Sequence, residues 1–159
     1  MAADVNVKSI QMLGAYQKSF NNYSTAAQHK INSYLALLEN SENKARGVKQ
    51  RIHSFAERRK SYLYNAKAKL ASTCTANPVV PSRVANATKA VEGCKKAYDK
   101  AREYEEQCDK MYKKLILDID RAKQESIKHR SELNNSASGG NQFLNSYIQK
   151  LKEYSGHNG

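Results

Sequence analysis

Apolar residues recur at alternating steps of three and four from Ile10 almost to Leu70, and again from Val84 to Leu133. Such spacing places one apolar face along a helix, whereas a strand would alternate with period two. In the first stretch the a positions of a heptad are Ile10, Ile31, Leu38, Ala45, Ile52 and Ala66. The d positions are Leu13, Phe20, Ala27, Tyr34, Val48, Phe55 and Tyr62. Thirteen of the eighteen a and d sites between 10 and 69 are apolar, which favours a helix; Gln17, Ser24, Ser41, Arg59 and Lys69 are the exceptions. Leu63 and Leu70 take over the apolar face near the end, and this predicts a drift in register there. Asn40, Ser41, Asn43 and Gly47 make 39–47 the weakest part of the helix and a place where it would kink or break.

Both prolines, Pro78 and Pro81, fall in the segment STCTANPVVPSR at 72–83, which predicts the turn, with Ser82 as N-cap of the next helix. The second seam reads Val84, Ala87, Val91, Cys94, Tyr98, Ala101, Glu105, Cys108, Tyr112, Leu115, Ile119, Ala122, Ser126, His129 and Leu133. The run NNSASGG at 134–140 then breaks the pattern. A short third helix over 142–154 is expected to follow, with Phe143, Leu144, Tyr147, Ile148, Leu151 and Tyr154 on one face, then a disordered tail at 155–159. The expected architecture is therefore one all-α domain, an elongated antiparallel helical hairpin with helices over 6–71 and 84–134 and the short C-terminal helix. With the turn centred near Asn77, residues whose numbers sum to about 154 would pair. The alternative is a compact four-helix bundle with the first helix broken at 40–47.

Composition agrees with stripes on helices more than with a deep core: 159 residues, 40% hydrophobic, seven glycines and two prolines. The start MAADVNVKSIQML has no basic region before a 7–15-residue apolar run, so no signal peptide is read, and no 18 apolar residues stand together to span a membrane. A cytoplasmic location is expected, with export lacking a cleavable signal as the alternative. The matches to the glycosylation pattern at Asn22 and Asn86 then count as chance. Cys94 and Cys108 lie two heptads apart, roughly 21 Å along one helix, and cannot bridge each other. The three cysteines, Cys74 included, read as reduced thiols.

Charge changes the picture most. The net charge is +12. Between 44 and 69 stand nine basic residues (Lys44, Arg46, Lys49, Arg51, Arg58, Arg59, Lys60, Lys67 and Lys69) against Glu57 alone. They flank the seam on both sides, with Lys44, Arg51 and Arg58 at g and Arg46, Lys60 and Lys67 at b. One reading is a solvated helix neutralised in part by Glu103, Glu105 and Glu106, with Glu105 meeting Lys49 or Arg51. The other is a patch for an acidic protein, anionic lipid or nucleic acid. Tyr62 and Tyr64 among these charges could stack on bases, but no zinc-finger spacing, RNP motif or recognition helix accompanies them.

Catalytic chemistry finds no foothold. Glu125 and His129 are four apart, where di-iron bundles use a spacing of three repeated on a second helix; neither His29 nor His53 has a matching glutamate. With Asp118 and Asp120 nearby they read as exposed pairs and not as a metal site. No Gly-rich phosphate loop, HExxH or GxSxG occurs, and Cys74 has no neighbouring base. Neither enzyme activity nor a cofactor is expected.

The run VKSIQMLGAYQKSF at 7–20, entering a helical hairpin, resembles the first helix of ESX-like proteins of type VII secretion and the related LXG-type domains. Their Trp-Xaa-Gly turn is missing here, since the chain has no tryptophan. The resemblance implies a partner or adaptor of a secreted effector, working by helix pairing. The long basic hairpin also resembles a small relative of BAR-type membrane-bending modules, though those need about three long helices per subunit. The expected function is thus a non-enzymatic helical interaction protein, an adaptor, chaperone or structural partner pairing with another helical protein or with itself. Its pairing seam would be Ile10, Leu13, Phe20, Ile31, Tyr34, Leu38, Val48, Ile52, Phe55, Val91, Tyr98, Leu115 and Ile119. Electrostatic binding of anionic membrane or nucleic acid is the alternative.

Overall fold

The computed structural model describes the backbone of residues 2–157 and the side chains of 7–156. Two helices account for the fold, α1 at Ala2–Cys74 and α2 at Pro81–His157. They pack antiparallel, with Gln17 against Asn141, Gln28 against Asn134, Lys49 against Asp109 and His53 against Glu105. The numbers of these partners sum to between 158 and 162, a few more than the expected 154, although the turn itself is centred between Asn77 and Pro78.

The turn is shorter than 72–83. In the last turns of α1, which runs to Cys74, Thr73 Oγ1 and Ser72 Oγ donate back to Lys69 O at 2.7 and 2.9 Å. The Thr75 N–H and hydroxyl both donate to Ala71 O. Val80 O accepts the first helical bonds of α2, from the N–H groups of Arg83 at 3.0 Å and Val84 at 3.2 Å, so Ser82 is inside the helix and is not its N-cap. Pro81 opens α2, a position where its missing N–H leaves nothing unsatisfied.

Two expected interruptions do not occur. α1 continues through 39–47, and α2 continues through 134–141, so the separate third helix is instead the last part of α2, and Ser155 and Gly156 are helical with it. Residues 158–159 of the expected tail lie outside the described residues. The chain packs as two compact units, unit 1 comprising Met1–Glu39 with Asp120–Gly159 and unit 2 comprising Asn40–Ile119.

In unit 1, contact with α2 explains why a Gly- and Asn-rich run stays helical. Asn141 Nδ2 donates to Asn21 Oδ1 at 2.7 Å, Gln17 Nε2 donates to Asn145 Oδ1 at 2.8 Å, and the amides of Gln28 and Asn134 pair. Gly140 faces Phe20 so closely that an added Cβ would lie 3.3 Å from the ring. Ser24 and Ser126 are buried in the same seam. Weak helix formers are thus held by partners across the hairpin, and packing outweighs a propensity cost of up to ~1 kcal/mol per glycine.

The register of α1 changes within unit 1, well before the drift expected near Leu70. Inward positions follow Ile10, Leu13, Gln17, Phe20, Ser24, Ala27 and Ile31, then take a second step of four to Leu35 before Leu38. Two consecutive steps of four move the inward face round the helix. In unit 2 that face is Ala45, Lys49, Ile52, Ala56, Arg59, Leu63, Ala66 and Leu70, the a and e columns. The d column is left outside: Tyr34, Val48, Phe55 and Tyr62, expected in the seam, are 48, 44, 38 and 54% exposed. On α2 the same double step follows Cys108 and Tyr112, so Ile116 faces inward while Leu115 is 42% exposed. His129 is likewise exposed, with Arg130 in its place.

Ala56 and Ala101 are each 1% exposed and lie in the register of the His53–Glu105 pair. Two methyl side chains at one level let the backbones approach closely there. Leu63 and Ile119 complete the buried apolar residues of unit 2. Ile10, Leu13, Phe20, Ile31, Leu38, Ile52, Val91 and Tyr98 are half-buried, as a two-helix contact allows.

Candidate partner-docking groove

The displaced d column opens a groove of about 1000 Å³ on unit 2. Ala45, Val48, Ile52 and Phe55 line it from α1, and Tyr104, Cys108, Met111, Tyr112 and Leu115 from α2. Its physical origin is stripe width. Along the groove α1 is apolar or small at a, d and e except at Lys49, and α2 at a, d and g except at Glu105. A helix in a bundle of three or more carries a stripe that wide; a two-stranded pair needs a and d alone. One neighbouring helix consumes only part of it. Tyr104 and Met111, one heptad apart beside the seam, belong to the groove but not to the expected seam. The extra apolar g column of α2 is the sequence signal that points to them.

Arg51, Arg58 and Gln107 also line the groove. Among the described residues neither arginine has a carboxylate within salt-bridge distance; the Arg51 Nε–H reaches only Gly47 O at 3.4 Å. The other basic residues of 44–69 are engaged differently. Lys49 Nζ is 3.3 Å from Asp109 Oδ1 and 4.9 Å from the Tyr112 ring centroid. Arg46 Nη2 donates to Glu42 Oε1 at 3.1 Å, and hydrogen bonding to Tyr112 together with the Glu42 charge raises the Arg46 pKa further. Lys60 Nζ stands 3.7 Å from Glu57. Arg59 lies with its guanidinium 5.0 Å from the Phe55 centroid and 5.9 Å from that of Tyr62, so the basic segment partly covers its own exposed aromatics. Lys44 and Lys67 are exposed.

The expected neutralisation by the acidic run of α2 is redirected. Glu105 meets His53 and not Lys49 or Arg51, and Glu106 pairs along its own helix with Arg102 at 3.9 Å. The Glu105 carboxylate against His53 Nδ1 raises the His53 pKa above its ordinary value, by hydrogen bonding first and charge second. Unit 2 holds eighteen Lys and Arg against nine Asp and Glu, a net +9 of the chain's +12.

Among the described residues no cluster of three or more His, Cys, Asp or Glu is placed to hold a metal ion, and no helix is long and apolar enough to cross a membrane. His129 pairs with Glu132 at 3.4 Å. The three cysteines are free thiols, Cys74 exposed and Cys94 and Cys108 half-buried. A smaller, mixed-polarity depression of about 440 Å³ in unit 1 is lined by Asn32, Leu35, Ala36, Glu39, Lys123, Ile127 and Arg130. Comparison with known proteins gives no match, whether to a family model, a curated protein or a solved structure.

Proposed function

We propose that this protein is a non-enzymatic helical interaction protein, an adaptor, chaperone or structural partner that works by accepting a further helix onto unit 2. The observation that carries this reading is the groove itself. Large apolar side chains from both helices line it, and Met111, at 73% exposed, is among the most open of them. Soluble chains rarely leave a contiguous apolar patch of that kind without a partner for it. Helix-in-groove docking uses such a surface directly, reading apolar anchors at i, i+3 or i+4, and i+7.

A photo-crosslinking side chain at position 111, in the cell that makes the protein, tests the reading. The expected product is a discrete adduct that maps to a helical segment and disappears with Phe55→Asp. The same adducts from a probe at exposed Lys95, away from the groove, would count against it.

A further inference from the structure

We propose that the occupant of the groove is an acidic amphipathic helix of three to four turns from another protein; this rests on the docking reading above. Length comes first. The groove spans residues 45–58 of α1 and 104–115 of α2, roughly 20 and 17 Å at 1.5 Å per residue. That accommodates a helix of about 11–14 residues, with two or three apolar anchors between Phe55 and Met111.

Charge chooses its character. Arg51 and Arg58 stand one heptad apart on the rim, about 10.5 Å along the axis, without carboxylates of their own. A docked helix with carboxylates at matching seven-residue spacing meets both. Arginines flanking an apolar cleft also draw an anionic partner during encounter.

A second copy is the weaker occupant. Seating unit 2 on unit 2 brings +9 against +9. Of the acidic run on α2, Glu105 and Glu106 are already held by His53 and Arg102, which leaves Glu103 alone to face the arginines of another subunit.

The test uses the full-length protein and two labelled 14-residue helical peptides with the same leucine face, one flanked by glutamates and one by lysines. Anisotropy titration should show the acidic peptide binding roughly tenfold or more tightly than the basic one, with the preference shrinking as salt rises. Arg51→Glu with Arg58→Glu should reverse the preference, Phe55→Asp should abolish binding of both peptides, and circular dichroism should stay unchanged in each variant. Equal affinity for the two peptides, lost with Phe55→Asp, overturns the acidic partner while leaving groove docking intact. No binding by either peptide, with no adduct from position 111, overturns both. A concentration-dependent dimer that protects Met111 replaces the partner with a second copy. Binding of anionic vesicles or duplex DNA that survives Phe55→Asp but fails after the arginine reversal replaces it with an electrostatic surface.

Discussion

His53 and Gly140 show how single residues tie α1 to α2. The His53 pKa is raised from its ordinary 6.5 by the Glu105 carboxylate across the hairpin, so the folded state holds the proton more tightly than the unfolded chain. Stability from this pair is therefore present below pH ~6.5 and is lost as pH rises through the raised value. Denaturation midpoints measured from pH 5.5 to 8.5 should fall across that window, and His53→Asn should flatten the fall. Gly139 and Gly140 form an internal control for packing. A Cβ at Gly139 meets nothing, so Gly139→Ala should stabilise by about 0.5–1 kcal/mol through helix propensity. Gly140→Leu drives its side chain into Phe20, and urea denaturation should show a loss of about 1–3 kcal/mol.

At the scale of one helix, α1 is governed by the double step of four at 27–35. It leaves the a column inward throughout and exchanges d for e. The exchange is testable at two neighbouring large residues, Leu63 and the larger Tyr62. Leu63→Ala, at a buried e site, should cost about 2 kcal/mol or more, while Tyr62→Ala, at an exposed d site, should stay within about 0.5 kcal/mol. Ala56→Leu should destabilise by about 1–3 kcal/mol because its methyl is enclosed at the level of Ala101. A heptad assignment keeping d inward predicts the reverse order for positions 62 and 63. Both columns offer apolar residues near the end of α1, with Tyr62 in d and Leu63 and Leu70 in e, so periodicity alone does not decide between them.

Across the molecule the two units divide chemistry between them. Unit 1 is joined by side-chain amides and buried serines, and Leu144 is its one buried apolar residue among those described. Unit 2 buries Ala56, Leu63, Ala101 and Ile119 and carries most of the positive charge. Local opening is easier where little apolar area is buried. Hydrogen exchange should therefore be faster in peptides from 7–39 and 120–156 than in those from 45–70 and 84–119. Equal protection in the two sets would show that the amide network holds unit 1 as firmly as apolar contact holds unit 2.

By itself the sequence determined that the chain forms two long helices joined at the prolines, because a three-four apolar period and proline's missing donor are local properties. It also placed the excess of charge at 44–69. It did not determine that 134–141 stays helical, since the glycines and asparagines there are weak helix formers until Gln17, Asn21, Gln28 and Phe20 stand opposite. Nor did it determine which columns face inward. Two helices can bury only part of a stripe three columns wide, and only their packing decides which part. That choice turned Val48, Phe55 and Leu115 from expected seam residues into the walls of a groove.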